Sequence, residues 1–546
     1  MCMTLIAGRK ATRTGRVLVG HNEDDYAFTS VRHGYVPHAF WEEGSVVPCE
    51  NGCTEIPQVS ETYGYYWMQV RNQKAGLCTA DSFINENGVV VVSDSSCGSK
   101  EHERLKDVPF LGIVYSLRRV IAERAKSARH GLKVAMELLN KYGYASPGRI
   151  YTIADANEAF MLQVVRGHYY AALRIPDDAI AVMPNHYTIH TLNDAEEVYF
   201  SKDLVSHALE CGFCESADTF DFAAAYQNTE MYRHPVNTLR HRHASEMLGV
   251  ECGDAYPCFA KATRLVDHTD FQKVLATHYE GTCDEAHTGN AGSPHYTGVR
   301  TVCVGTTVES AVYELGDDIK NTLVYTAFSR PCELPYIPMH PLRGAVKAVD
   351  AMEYPAFEAA NHHNAKPGAV TYRHDGWQKF TDFENALELC HNAQIDEFNK
   401  LKYALENELD AGKNERSDDE TAAYALKALE GFAARRFTPV TLNAEIKGGS
   451  KGETLTLKAC FKPEKAVDSE SVYFLFGRSC FAETQNRAKL PLVSLGKARD
   501  GMVPAEVIFE NSPLYGADAG EYELYISGKY TDGTAFYGMT VINAEE

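Results

Sequence analysis

The turn Asn85-Glu86-Asn87-Gly88 followed by Val89-Val90-Val91-Val92 constrains the fold more than any other feature of the chain. Side chains alternate along a strand, so an unbroken run of valines puts apolar surface on both faces, and both must be buried. Just beyond it the period changes. Ile113, Leu117, Val120, Ile121, Ala125, Ala128, Leu132, Val134, Ala135, Leu138 and Leu139 in residues 111–143 are spaced for two amphipathic helices with a break near His130-Gly131. Ahead of the valines, residues 3–8 and 16–20 are short apolar runs split by Thr12-Arg13-Thr14-Gly15, which predicts a hairpin.

Strands are expected at 149–153, 159–165, 169–174 and 179–183, helices at 200–212, 218–227 and 236–248, and a strand-rich stretch at 298–329. Residues 379–434 read as two helices joined by the polar linker 411–419, and 440–546 as short alternating strands separated by Gly, Pro, Asp and Asn turns. At 546 residues the chain is long enough for two or three domains. The expectation is an α+β catalytic domain over residues 2–436 and a C-terminal all-β, sandwich-like domain over 440–546.

The 53 Lys and Arg against 74 Asp and Glu leave a net charge of −21, which gives no bulk attraction to nucleic acid or anionic membrane. The apolar run Leu5–Ala7 is too short for a signal-peptide core, and no window approaches the roughly 18 apolar residues of a membrane span. A cytoplasmic location is therefore expected, with the 15 cysteines as reduced thiols. Cys211/Cys214 and Cys252/Cys258 have spacings that could bind metal or form disulfides, but no second CxxC completes a zinc site. His186 and His190 could share a metal on a helix, yet VMPNHYTIH is strand-like; His241, His243 and His278-x-Glu280 fit polar surface or pocket positions equally well. No metal, no nucleotide fingerprint and no cofactor is expected.

Chemistry concentrates at the start of the chain. An initiator Met is removed when a small residue follows, which would make Cys2 the mature N-terminus. Such a residue carries a thiol of pKa near 8.5 beside an α-amine of pKa about 7.7–8.0, so nucleophile and general base come together. Gly20-His21-Asn22-Glu23-Asp24-Asp25 closes the strand that pairs with the first, and a carboxylate there could hold the α-ammonium.

Cys2-x-Thr4, Ala7-Gly8-Arg9-Lys10-Ala11-Thr12, Gly15 and Asn22-Glu23-Asp24 resemble the start of the dipeptidase A family of N-terminal-nucleophile (Ntn) cysteine peptidases. The likeness continues in order through Asn85-Glu86-Asn87-Gly88-Val89, Glu123–Arg129, Tyr151–Phe160, Arg174–Asp178 and Pro184-Asn185-His186, then His278–Thr282, Asp284, Arg300-Thr301 and Tyr336-Ile337-Pro338. The resemblance implies an αββα sandwich, two stacked and mostly antiparallel sheets with helices on both outer faces. It also implies metal-free hydrolysis of dipeptides, with small peptides as the binding partners.

Through the wider kinship with choloylglycine hydrolase and penicillin V acylase, it implies Cys2 as nucleophile and Asp24 as the carboxylate on its amine. Asn185 would be an oxyanion donor, with a second donor near Asp94-Ser95, and Arg240 stands where that group has an arginine. His21, Asn22, Glu23, Ser95 and Arg300 are the expected substrate contacts; Glu23 or Asp25 would suit the ammonium of a dipeptide, and Arg240 or Arg300 its carboxylate. The chain departs from the family at His21, where an arginine is usual, in the poorly matching stretch 346–378, and in 440–546, which lies outside the likeness. Three other readings stay open: an Ntn acylase on N-acyl substrates, a metallohydrolase built on the histidines, and a non-catalytic binding protein. Homo-oligomerisation is left open too.

Overall fold

The computed structural model describes residues 2–25, 29–47, 53–72, 77–193, 195–286, 293–296, 299–341, 371–374, 377–448, 454–477, 491–510 and 520–544. Met1 and most of the stretch 346–378 lie outside the described residues.

The first hairpin forms as its pattern requires. Met3–Ala7 pairs antiparallel with Leu18–Asp24, Met3 opposite Asn22 and Ala7 opposite Leu18. Gly15 takes φ +70° in the connection, a backbone region that glycine enters without a Cβ penalty. This hairpin is the middle of a sheet in which seven described strands run in the order Ala260–Lys261, Ala179–Met183, Met3–Ala7, Leu18–Asp24, Thr307–Glu314, Leu323–Ala327, Ile337–Met339. A second sheet of nine described strands runs Val198–Phe200, Tyr170–Ile175, Ala159–Gly167, Tyr144–Ala154, Val90–Ser95, Leu77–Asn85, Tyr65–Asn72, Thr29–Val36, Thr371–His374.

Side-chain alternation stacks these sheets. Ile6, Val19, Ala181 and Met183 from the first share one apolar core with Val90, Val92, Ile150, Met161 and Leu173 from the second. Val89 and Val91 point the other way, onto Leu117, Val120, Ile121, Leu132 and Ala135 of two helices. All four valines are fully buried, each worth about 1.5–3 kcal/mol relative to exposure. On the far side Met3, Leu5 and Ala7 pack with Phe271, Leu275, Phe398 and Leu426 of a second helical layer. The order of layers is helix, sheet, sheet, helix.

Three expectations need correction. The helix pair runs Ser116–Arg124 and Ala128–Tyr142, so the break falls at 125–127 and not at His130-Gly131. Ser127 caps the second helix by accepting from the His130 amide, and Gly131 lies inside it. Residues 379–434 belong to three helices, Trp377–Leu389, His391–Ala411 and Asp418–Arg436, with a break at Cys390 that the apolar spacing does not reveal. Finally, strand structure begins only at Thr307, and 300–306 is a loop.

Beyond Phe437 two further sheets, each of four described strands, enclose a core that includes Leu457, Phe461, Leu524, Ile526 and Phe536. The apolar packing does not stop at residue 436. Phe437, Tyr473, Leu475 and Ala535 belong to the same cluster as Phe383, Phe398 and Phe432 of the helices. Tyr473 and Ser527 both donate their hydroxyls to the Leu389 carbonyl. Among the described residues no helix is long and apolar enough to cross a membrane.

Candidate active site

Two neighbours of the central strand set the site. The register that puts Met3 opposite Asn22 carries Cys2 to Glu23, and the pairing of Thr4 with Met183 brings the following Pro184-Asn185 to the same strand end. Cys2 is buried, and its thiol donates to Glu23 Oε2 at 3.1 Å. Burial, and after it the Glu23 carboxylate, push the thiol well above its ordinary pKa, so sulfur keeps its proton until an acceptor is brought beside it.

Behind the thiol lies a chain of charged groups. Thr4 has one hydroxyl proton and donates it to Asp94 Oδ2 at 2.6 Å, so at His21 Nδ1, 2.8 Å away, it acts as acceptor from a ring N–H. The other ring nitrogen lies 3.5 Å from Glu23 Oε2. Burial alone would lower the His21 pKa, but the contact with Glu23 and the charges of Asp94 and Glu309 outweigh it and raise it. Burial would likewise raise Glu23, yet His21 and Arg118 hold its carboxyl below the usual range. Asp94 is pushed up to about 6, chiefly by burial. In this chain the His21 ring is therefore biased toward its protonated form.

Arg240 ties the other half together. It is fully buried on the helix Pro235–Leu248, donating through Nη1 to the Cys2 carbonyl at 2.8 Å and through Nη2 to Asn185 Oδ1 at 2.9 Å and Asn237 Oδ1 at 2.7 Å. Burial and the Arg300 charge lower it to about 10, still protonated at neutral pH. A guanidinium only donates, so it fixes which end of the Asn185 amide faces it. The NH2 end is turned forward and reaches the Ser95 carbonyl at 2.9 Å. Cys2, Glu23, His21, Asn185, Ser95 and Arg240 thus converge as a set.

The remaining expected residues divide. Asp24 Oδ1 accepts from Thr307 Oγ1 at 2.6 Å, and its other oxygen takes the Arg300 guanidinium. Arg300 is engaged with Asp24 and does not stand ready for a substrate carboxylate. Asn22 points to the helical side and donates to the Leu275 carbonyl at 2.8 Å, tying sheet to helix, so it is not a substrate contact in this arrangement. Asp25 contributes its backbone N–H to Thr306. The sequence reading missed Thr4, Asn237, Arg118 and Thr307, and gave Asp94 no side-chain role. Thr4 alone carried a local signal, two residues after Cys2 on one strand face.

His186 Nε2 lies 3.3 Å from His241 Nδ1, while His190 binds Asp221 and His243 binds Asp284, each at 2.9 Å. Cys211, Cys214 and Cys252 are free thiols, and Cys258 is buried.

A thiol, carboxylates and a donor amide are gathered at one strand end, groups of the kinds that cleave amide bonds. The sequence model described as Peptidase family C69 matches residues 1–361, more than half of the chain, and the chain belongs to that family. It is similar to a probable dipeptidase from Latilactobacillus sakei, at 26% identity over 352 residues, covering 62% of this chain and 73% of that one. Probable dipeptidase B from Lactococcus lactis is 23% identical over 464 residues, covering 81% of this chain and 93% of its own. Among solved structures, a mutant of the conjugated bile acid hydrolase from Clostridium perfringens aligns with a TM-score of 0.29 at 14% identity, covering 60% of this chain and 89% of that chain.

Proposed function

We propose that the chain is an Ntn-type cysteine dipeptidase in which Cys2, freed by removal of Met1, is both nucleophile and base. The observation that carries this reading is the single guanidinium of Arg240 holding the Cys2 carbonyl and the Asn185 amide together. Its mechanism begins with the Cys2 α-amine taking the thiol proton, and sulfur then adds to the scissile carbonyl. The Asn185 NH2 group stabilises the oxyanion, which requires it to leave or share the Ser95 carbonyl. The amine returns the proton to the leaving amino group, and water releases the acyl-enzyme. Asp24, next to Glu23 at the end of the paired strand and neutralised in part by Arg300, would hold the α-ammonium between steps.

Dipeptides as substrates rest on the names of the relatives, and the helix, sheet, sheet, helix layering supports the αββα reading. Hydrolysis of a mixed dipeptide panel by wild type, Cys2→Ala and Cys2→Ser, with intact mass recorded for each, tests it. Cleavage by protein lacking Met1 and its loss in Cys2→Ala are expected. Undiminished cleavage by Cys2→Ala, or a preference for N-acyl amides over every dipeptide, would overturn it.

A further inference from the structure

Four side chains that the mechanism does not use converge away from Cys2, against the helix Trp377–Leu389. His278, His295, Cys303 and Cys332 are all buried, and their Nε2 and Sγ atoms lie within 4.8 Å of one another. The two sulfurs are 3.5 Å apart and the two Nε2 atoms 3.0 Å apart, and His295 Nε2 stands 3.7 Å from Cys303 Sγ and 3.5 Å from Cys332 Sγ. A tetrahedron built with Zn–S of about 2.3 Å and Zn–N of about 2.0–2.1 Å has edges of about 3.8 Å between sulfurs, about 3.3 Å between nitrogens and about 3.6 Å for mixed pairs. The nitrogen pair is the shortest of these four edges, as expected, and each of the four falls within about 0.3 Å of its ideal value.

The surroundings make the same demand. His278 Nδ1 is 3.0 Å from Glu280 Oε1, and His295 Nδ1 is 2.8 Å from Glu388 Oε2. A carboxylate at each Nδ1 keeps the proton there, so both Nε2 lone pairs are aimed at one point. Two lone pairs facing at that distance repel unless a cation or proton lies between them. A carboxylate behind each ring is the outer arrangement that orients metal-bound imidazoles. Two thiolates also neutralise a divalent ion, so the filled cluster would bury no net charge. An entry path exists, because His278 and Cys332 line a cavity of about 1210 Å³ between helices.

We propose that His278, His295, Cys303 and Cys332 form a structural zinc site. All four positions are protein ligands, so the ion has no place for substrate and acts as a clamp. It joins the segment after the helix His268–Leu275, the turn Pro294–Tyr296, the loop 299–306 and the turn at 329–334. Arg300 on that loop and Thr307 at the start of the strand after it, both of which bond Asp24, flank Cys303 in sequence. Binding exchanges the two thiol protons for the metal and releases them to solvent; no electron moves.

Full-length protein purified under reducing conditions without chelator should carry about one zinc per chain, in wild type and in Cys2→Ala alike. The Cys303→Ser/Cys332→Ser double variant should lose at least about tenfold of it. X-ray absorption of the wild type, which needs no variant to fold, should show two sulfurs at about 2.3 Å and two nitrogens at about 2.0 Å. Zinc well below stoichiometry, with Cys303 and Cys332 alkylating as free thiols or recovered as a disulfide, would overturn the proposal. So would bound zinc with no sulfur in its shell. Because Cys2→Ala keeps its zinc, failure here and failure of the dipeptidase reading give different results.

Discussion

Asn185 accepts from the Arg240 guanidinium through Oδ1 and offers its NH2 group from the strand end beside Cys2. Replacing it with Ala should lower kcat by about 10²–10³ with little change in KM, since an oxyanion donor acts only once charge develops, worth about 2.7–4 kcal/mol. An equal loss in substrate binding would assign it to the ground state instead. Asp94 gives a second expectation, read in stability. Its folded pKa of about 6 exceeds the unfolded carboxylate value of about 3.9, so the native state holds the proton more tightly. That contribution is complete below about pH 3.9 and is lost as pH rises through about 6. Asp94→Asn should flatten the wild-type decline between pH 4.5 and pH 7 by about 2 kcal/mol, measured by urea unfolding at those two pH values. An unchanged difference between the two proteins would mean that Asp94 is not the group titrating.

At the scale of elements, the helix pair shows what apolar spacing conveys and what it omits. The buried faces of 111–143 were legible, because Leu117, Val120, Ile121, Leu132 and Leu139 do meet the nine-stranded sheet. The break was not, because its cause is distant in sequence. Asn85 donates to the Ala122 and Ala125 carbonyls at 2.9 and 2.7 Å, and Asn87 to Ala125 at 3.1 Å, so the turn that launches the valine strand ends the helix. Gly131 is small for packing and does not mark an end: a Cβ there would lie 3.0 Å from Ile153 Cγ2 and 3.2 Å from Ala125 Cβ and Ile121 Cγ2. Gly131→Ala gains up to about 1 kcal/mol of helix propensity but overpacks a rigid layer at about 1–3 kcal/mol. Net destabilisation is expected as a lower urea midpoint at constant m. A rise in the midpoint would show that the layer yields. The same contrast runs through the site. Cys2, Glu23, Asn185 and Arg240 were found in chain order. The tuning of His21 was not, since Thr4 and Asp94 act on it across two strands and two sheets.

For the molecule as a whole, the question is whether residues 440–546 can be removed. Composition marks a boundary there, and the two four-stranded sheets have a core of their own. Packing carries the boundary away, since Phe437, Tyr473, Leu475 and Ala535 complete the cluster that covers the outer face of the seven-stranded sheet. The Leu389 carbonyl, freed where the chain breaks between two helices, finds its donors in Tyr473 and Ser527. Gln394 donates a side-chain N–H to the Gly533 carbonyl at 2.8 Å. A protein ending at Pro439 would expose that apolar face and orphan those groups, each buried polar group worth about 1–3 kcal/mol. The expected result is aggregation, or a melting transition well below that of the full chain, with activity lost in proportion to folded material because, among the described residues, none beyond 439 hydrogen-bonds to Cys2, Glu23, Asn185 or Arg240. A truncated chain that melts cooperatively at the full-length temperature, with the full-length kcat, would show instead that the helices 377–436 close the core by themselves.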